Sequence, residues 1–411
     1  MAEMKTLADV KLKGKKVLIR VDLNASIIDG KVQKGPRFRR HAATIKEISQ
    51  KGAKVVVLAH QKRRENPEYM ESLEKHAQIL ADLMGKKVHY VDDLFGKEAI
   101  EAIKNMKPKE IILLKNTRSY KEETIKKSPH RHSKCEFVKK LAPLFDIFVQ
   151  DALSICHRSH ASVVGFPEVL PSYVGRVLEK ELASIAKANK NLERPLTLIL
   201  GGAKIGDYFG LIKRYIEEEK VDYILTTGVL SLVAMAVKGV NMGKQNKILQ
   251  DQGLLKNAKE IEQYLYKFSF PNDFAVEFKG KREEIAIEDL PTDYPLLDIG
   301  QATIEKYKKI IEKSKTIFVK GSAGNYERKG FDSGTKQILA EVGKSKAFSI
   351  VGGGETTTAV ERYKITGINH ISLSGGALLQ ALSGEKLPGI EILKKGRKEK
   401  REKKETKQNK K

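Results

Sequence analysis

Two groups of residues in this 411-residue chain have types and spacings suited to chemistry. Asp22 and Asn24 close the run KKVLIRVDLN two residues apart, so in an extended chain their side chains point the same way. Further along come Arg37 in GPRFRR, His60 and Arg63 in AHQKRR, Arg118 in LLKNTRSY, and Asp151, His157 and Arg158 in QDALSICHRSH. The planar fork of a guanidinium binds phosphate or carboxylate bidentately. Four arginines and two histidines placed just after strands of one sheet would converge on a small, multiply anionic ligand, with hydroxyls for Asp22 and Asn24. Each residue taken alone has a plainer reading: a solvated arginine, a structural histidine, an aspartate capping the next helix. Their common placement carries the anion-cleft reading.

The second group is built on glycine. ILGGAKIGDYFG sets Gly202 and Lys204 directly after an apolar run, and IVGGGETTTAV sets Gly353, Gly354, Glu355 and Thr356 before a helical pattern. VKGSAGNYE is a third turn of this kind. Glycine lets backbone N–H groups approach phosphate, a helix N-terminus adds partial positive charge, and Lys204 would add a full one. None of these is a Walker A loop, which needs G-x-x-x-x-G-K-[ST]. Three such turns in one domain, with a lysine and two carboxylates, point to a magnesium-nucleotide site. An anion cleft in one half and a nucleotide site in the other suggest phosphoryl transfer, which is chiefly positioning and electrostatics with water excluded by closure.

Elements must hold these residues in place. KVLIRVDL, KVVVLAH, KVHYVDD, EIILLK and IFVQDA are strand-like, as are LTLILGG, VDYILTTG, DFAVEF, TIFVKG, FSIVGGG and ISLSGG in the second half. Amphipathic segments alternate with them; in SLEKHAQILADLMG, Leu73, Ala77, Leu80 and Met84 share a face, and Gly85 supplies a stop. Parallel strands need such crossovers, so each half is an α/β domain with a doubly wound sheet, its ligands outside the carboxyl ends of the strands. The expected boundaries are a first domain over 1–172, an interdomain helix and hinge over 173–190, a second domain over 191–387 and a return segment over 388–393.

Residues 394–411, KKGRKEKREKKETKQNKK, carry eleven Lys/Arg and three Glu, eight of the chain's net charge of +25. A tail of this composition has no core to form and is expected to be disordered. The remaining charge suits nucleic acid, an acidic cell interior or anionic substrates. The tail has no aromatic residue for base stacking, so any contact with RNA there would be non-specific and salt-sensitive. No apolar run approaches the roughly 18 residues of a membrane helix, the N-terminus lacks a signal-peptide core, and Cys135 and Cys156 form neither a disulfide framework nor a metal motif. A cytoplasmic, monomeric enzyme without a membrane partner is expected.

The motifs together resemble the phosphoglycerate kinase family, and AHQ with SLEKHA resembles its archaeal branch. The likeness runs in order from about Val17 to Leu393, through RVDLN, AHQKRR, LLKNTRSY, DALSICHRSHAS, LGGAKIGD, DIGQATIE, KGSAGNYE, AFSIVGGGETT and GEKLPG. It implies two Rossmann-like domains joined by a long helix and hinge, and reversible transfer between 1,3-bisphosphoglycerate and Mg-ADP giving 3-phosphoglycerate and Mg-ATP, in glycolysis or gluconeogenesis. It implies that 3-phosphoglycerate binds the first domain and the nucleotide the second. Asp22 and Asn24 match the family's contacts to substrate hydroxyl and carboxyl, and Arg37, His60, Arg63, Arg118 and Arg158 match its basic patch. Arg37 and Lys204 are the implied catalytic residues. Gly202 and Lys204 match nucleotide-phosphate contacts, Glu327 the ribose-binding glutamate, Gly353–Thr356 the turn at the phosphates, and Glu355 a ligand for Mg2+.

The chain also departs from the family. In HQKRR, Lys62 and Arg64 replace a glycine and a proline. Lys115 replaces a usual glutamate and Ser119 an aromatic residue. Tyr208 stands where many members carry a second lysine, although archaeal relatives often lack it too; Lys320-Gly321-Ser322 replaces N-G-P, Glu355 replaces an aspartate, and a triple glycine becomes Ser374-Gly375-Gly376. The alternative is a weakly active kinase-like protein that binds nucleic acid through its basic surface and tail.

Overall fold

The computed structural model describes residues 4–394 apart from 191, 204 and 257. Lys204 and residues 395–411 of the basic tail therefore lie outside the described residues. Those described pack as two compact units, one of residues up to Ala183 and from Lys386 onward, the other Ser184–Glu385. Among them no helix is long and apolar enough to cross a membrane.

In the first unit the strands are β1 (Lys16–Arg20), a small hairpin of β2 (Ile27–Ile28) and β3 (Lys31–Val32), β4 (Lys54–Leu58), β5 (His89–Val91), β6 (Ile111–Leu114), β7 (Ile147–Gln150) and β8 (Ser172–Val174). Outside the hairpin they form one parallel sheet in the order β5-β6-β4-β1-β7-β8, with Val17 in register with both Val55 and Ile147. A parallel sheet buries both faces, and alternation along each strand supplies them. Val17, Ile19, Val55 and Val57 pack against the helices Pro36–Gln50 and Glu74–Met84, whereas Leu18, Val56, Leu58 and Phe148 face Ile103, Phe137 and Phe166. The Glu74–Met84 helix buries Ala77, Leu80 and Met84 and ends at Gly85 in the left-handed conformation, as its sequence pattern predicts.

SYV, expected to open the interdomain helix, is instead the edge strand β8, paired with β7. Gly175 follows it, and the helix runs over Arg176–Lys190. Its start is capped by Asp151, whose Oδ1 accepts the Val177 N–H at 2.8 Å. The chain returns to this unit after Glu385, where the Gly389 N–H donates to the Cys156 carbonyl at 2.9 Å.

The second unit holds β9 (Leu196–Leu200), β10 (Tyr223–Thr226), β11 (Phe268–Ser269), β12 (Asp273–Phe278), β13 (Lys281–Ala286), β14 (Asp298–Ile299), β15 (Thr316–Lys320), β16 (Phe348–Gly352) and β17 (His370–Ser372). Six of these make a parallel sheet ordered β11-β10-β9-β15-β16-β17. DFAVEF, expected in that sheet, is β12 of a separate antiparallel sheet, β13-β12-β14. The reason is local. Lys279 and Gly280, with φ of 47° and 74°, form a two-residue turn of the kind that closes a hairpin, so the strand pairs with the segment that follows it. The edge position passes to the two-residue β11.

In both parallel sheets the chain reverses its direction of winding next to the first strand, between β1 and β7 and between β9 and β15. Loops diverge at such a point and leave a crevice at the carboxyl ends.

Arg176, the first residue of the long helix, forks onto Glu47 with Nε–Oε2 at 3.0 Å and Nη2–Oε1 at 2.9 Å. These bonds, opposed by partial burial and helped by Lys51, bring the Glu47 carboxyl down to about 2 from its ordinary 4.5. A carboxyl with a depressed folded pKa contributes stability above its unfolded pKa and loses it as pH falls through the folded one. Glu47→Gln should cost about 1 kcal/mol at pH 7, the scale of a well-formed surface pair. Urea unfolding of both proteins from pH 7 to pH 3 should show this gap closing below about pH 4.5. A gap of constant size would assign the cost to packing instead.

Candidate active site

At the first switch point the polar residues after β1 are tied down from several directions. Asp22 is buried; its Oδ1 accepts the Asn24 N–H at 2.9 Å, and its Oδ2 accepts the Ser154 hydroxyl at 2.6 Å and pairs with Arg37 Nε at 3.2 Å. Arg37, in the first turn of the Pro36–Gln50 helix, also donates to the Asn24 carbonyl. Asn24 Oδ1 accepts the Lys62 N–H at 2.8 Å. Burial alone would raise the Asp22 carboxyl, but Arg37 and the two hydrogen bonds hold it well below the ordinary carboxylate range. Asp22 is therefore an ionised acceptor at neutral pH.

Beside it lies Arg20, the last residue of β1, with its side chain fully inside the unit. Its Nε donates to Ser162 Oγ at 2.9 Å, and that hydroxyl donates to Glu123 Oε1 at 2.5 Å, so the serine relays the cation to a buried carboxylate. Arg20 Nη2 lies 3.1 Å from His60 Nδ1. A guanidinium has no acceptor, so Nδ1 accepts and the imidazole proton sits on Nε2. Burial first, then Arg118 and Arg20, push His60 well below its usual pKa and keep the ring neutral.

The other cations crowd the same place. Burial, together with Arg20 and Arg63, brings the Arg118 guanidinium down to about 10. His160 falls to about 3 through burial and the charges of Arg118, Arg20 and Arg158. Arg63 and Arg158 themselves are exposed. The fold thus brings Asp22, Asn24, Arg37, His60 and Arg118 together, with Arg63 near enough to act on Arg118 and Arg158 on the neighbouring His160. Asp151 has a different task, capping the long helix and pairing with His41 Nδ1 at 2.7 Å.

The altered loop after β4 has its own partners. Lys62 adopts a φ of 53°, the conformation a glycine takes without strain, and pairs with Glu68 at 2.6 Å. Arg64 donates through Nε to the Arg118 carbonyl at 2.8 Å and through Nη2 to the Ser119 carbonyl. The substituted arginine therefore ties down the loop that carries Arg118.

At the second switch point three glycine-bearing turns lock together through backbone. The Gly201 N–H donates to the Lys320 carbonyl at 2.9 Å, Gly202 to Ser322 at 2.8 Å, and Gly353 to Ser374 at 3.1 Å. The Gly321 N–H donates to Thr356 Oγ1 at 2.9 Å, so the Thr356 hydroxyl is committed as an acceptor and keeps its own proton to donate. Gly353 precedes the helix Gly354–Arg362, whose first N–H groups have no intrahelical acceptor. Glu355 is exposed in the first turn of that helix, and its Oε2 lies 3.4 Å from where a Cβ on Gly202 would be. Glu327 is exposed on the loop after β15, next to buried Tyr326. A cavity of about 800 Å³ elsewhere in this unit, lined by Tyr223, Lys238 and Phe270, touches none of these turns.

Sequence reasoning missed Arg20, Ser154, Ser162, Glu123 and His160. Arg20 alone carried a signal, as a charged residue closing a strand otherwise buried on both faces.

A cation-crowded cleft in one unit and interlocked glycine turns in the other are suited to moving a phosphoryl group between two anionic partners. A sequence model of phosphoglycerate kinase matches residues 7–385. The phosphoglycerate kinase of Methanobacterium bryantii is 40% identical over 405 residues, covering 96% of this chain and 98% of its own. That of Pyrococcus furiosus is 41% identical over 397 residues, covering 94% and 97%. Among solved structures, the phosphoglycerate kinase from Pyrococcus horikoshii superposes with a TM-score of 0.92 at 35% identity, over 97% of this chain and all of the other. The enzyme from Coxiella burnetii gives 0.73 at 29%, over 95% and 99%. The class is thus a phosphotransferase with a carboxyl group as acceptor. The chain belongs to the phosphoglycerate kinase family, whose members act in glycolysis and use ADP or ATP with Mg2+. Nothing in these relatives supports the alternative of a nucleic-acid-binding protein.

Gly321 tests the interlocking of the turns. Its φ is +89°, and a Cβ there would overlap the Gly201 carbonyl. Gly321→Ala should cost about 2–3 kcal/mol and lower Tm by roughly 4–10 °C in calorimetry. A Tm equal to wild type would mean that the two turns separate freely.

Proposed function

We propose that this enzyme holds 3-phosphoglycerate in its first unit and Mg-ADP or Mg-ATP in its second, and transfers one phosphoryl group between them. One observation carries the reading: Arg118, Arg20 and Arg37 act on His60, and Arg20 and Arg63 act on Arg118, with Asp22 and Glu123 as the acidic counterweights. An anion with both a carboxylate and a phosphate relieves that crowding.

Ionised Asp22 accepts the substrate hydroxyl, and Asn24 donates from its amide. His60 donates from Nε2 to the substrate's carboxylate end. Arg63, Arg118 and Arg158 hold its phosphate, bidentately where geometry allows. In the direction of ATP use, a carboxylate oxygen of 3-phosphoglycerate attacks the γ-phosphorus as the bond to the β,γ-bridging oxygen breaks, and ADP leaves. Charge spreads over the equatorial oxygens of the moving group, and Arg37 and Lys204 are the cations assigned to it.

Gly354 and the first turn of its helix offer backbone N–H groups to the nucleotide phosphates, Gly202 and Gly353 keep the turns free of side chains so that the phosphates can approach, Thr356 offers its hydroxyl, and Glu327 accepts from the ribose. The site suits a magnesium nucleotide. Among the described residues no three His, Cys, Asp or Glu side chains converge on a metal position. Mg2+ needs no such cage, since it binds through one or two carboxylates, phosphates and water, and Glu355 supplies the carboxylate beside the Gly202 turn. When bound, the ion neutralises charge on the phosphates.

A coupled assay of ATP formation from 1,3-bisphosphoglycerate and ADP tests the activity directly. In it, Arg118→Ala should lower kcat/KM roughly 30- to 1000-fold, the loss of about 2–4 kcal/mol of charge-assisted contact, while Tm holds. A variant that melts early yet keeps wild-type kcat/KM would make Arg118 structural. Truncation after Leu393 should leave kcat/KM unchanged, because the segment removed has no apolar periodicity with which to dock. In a filter-retention assay at low salt the truncated protein should hold less RNA than the full chain. Sequence-selective RNA binding that depends on the tail would instead favour the nucleic-acid-binding alternative.

A further inference from the structure

The cavity of about 800 Å³ in the second unit takes no part in the site described above. It lies along the outer edge of the second parallel sheet, between Phe268 of the edge strand β11 and Tyr223 at the start of β10. Its size is that of a small-molecule site. The floor is apolar, with Met235 and Phe268 buried. Among the described residues six large apolar side chains are well exposed, and two of them, Tyr223 and Tyr266, border this one cavity.

Its charges are almost all of one sign. Lys238 caps the end of the helix Gly228–Val237 and sets its Nζ 4.7 Å from the centre of the Phe270 ring. Lys306, in the helix Gln301–Lys313, donates from Nζ to the Phe270 carbonyl at 2.9 Å and to Asn272 Oδ1 at 3.1 Å. One residue thus carries an ammonium on its ring and another on its carbonyl. Burial, then the charge of Lys238, lower the pKa of Lys306. Among the described residues neither lysine pairs with a carboxylate. The one carboxylate that lines the cavity, Asp222, is taken: Arg194 forks onto it with Nη2–Oδ1 at 2.6 Å and Nε–Oδ2 at 3.1 Å, and the Leu196 N–H donates to it at 2.6 Å. A third lysine, Lys267, lines the same wall. Like charges held together beside apolar surface, where water screens them poorly, are relieved by an anion.

We infer that this cavity binds a small organic anion with a flat apolar body, its acid group seated at Lys238 and Lys306 and its body against Phe268, Tyr223 and Tyr266. Neither uniform apolar lining nor scattered surface lysines would select such a ligand; the two together do. The site is separate from phosphoryl transfer and does not rest on the reading of the glycine turns.

The test uses the full chain and calorimetric titration with naphthalene-2-sulfonate, whose charge is permanent, with 2-naphthol, which has the rings alone, and with inorganic sulfate, which has the charge alone. The sulfonate should bind with a Kd below about 1 mM, and the other two roughly 10-fold more weakly or worse. Saturating ADP should leave the sulfonate affinity unchanged. Lys238→Met and Lys306→Met should each weaken the sulfonate about 10-fold and leave 2-naphthol within about twofold. Lys238 is exposed, so its variant folds even where loss of the Lys306 hydrogen bonds does harm. Tyr266→Ala should weaken both ring compounds, and kcat/KM for ATP formation should stay at the wild-type value in all three variants. No binding of the sulfonate to wild type, equal binding of sulfonate and naphthol, unchanged affinity in Lys238→Met, or displacement by ADP would each overturn the inference.

Discussion

A parallel sheet covered on both faces leaves no water for a charge, so every polar function must sit where the strands end. In this chain that constraint decides where the chemistry is. It also isolates two exceptions. Among the described residues Arg20 and Lys320 are the buried members of a Lys/Arg set that numbers 77 in the whole chain. Each is the last residue of a strand next to a switch point, β1 in one unit and β15 in the other. The first is held by Ser162 and Glu123 and fixes the tautomer of His60. The second is held along a glycine trough over Tyr208. Both bring positive charge up from inside the fold, where side-chain entropy is already lost and solvent screening is weak.

Much of this was legible from the residues, because strand-ending polar groups are a sequence property. Asp22, Asn24, His60 and Arg118 could be picked out since each interrupts or follows a run of Val, Ile and Leu. What failed depended on contacts distant in sequence. DFAVEF has the composition of any strand, and only the two-residue Lys279–Gly280 turn sends it to an antiparallel partner. SYV is too short to declare itself against the long helical pattern that follows, and its pairing with Phe148–Gln150 makes it β8. Ser162 and Glu123 are ordinary residues until the fold brings them to Arg20 from 142 and 39 residues away from their respective partners. Asp151 was visible as a strand-end carboxylate, and the plain reading of it as a helix cap is the one the geometry bears out.

The substitutions in the loop after β4 illustrate how a pattern can change without losing its geometry. A glycine would take the left-handed backbone at position 62 without strain, and Lys62 accepts that conformation while its ammonium pairs with Glu68. A proline at position 64 would stiffen the chain. Arg64 instead ties the loop to the Arg118 and Ser119 carbonyls. Rigidity from the backbone is exchanged for rigidity from hydrogen bonds. The exchange ties two loops to each other, so the two segments that carry Arg63 and Arg118 become one support.

On the proposed reading both units bind an anion, with different materials, and the ligands explain why. A three-carbon acid phosphate presents a carboxylate and a phosphate with little surface to grip, so its site needs directional, charged forks and a fixed acceptor for its hydroxyl. Guanidiniums on several loops supply this, at the cost of burial and mutual repulsion, which together lower the pKa of Arg118. A nucleotide brings a base, a sugar and a metal ion that already neutralises part of its charge. Backbone N–H groups then suffice for most of the phosphate contact, since they are fixed by the fold and carry no like charge to repel one another. The start of the Gly354–Arg362 helix, which the glycine turns leave open, suits that need, and a small number of cations completes it. In such a site each cation counts for more than any one of the guanidiniums opposite 3-phosphoglycerate, because fewer neighbours share its work.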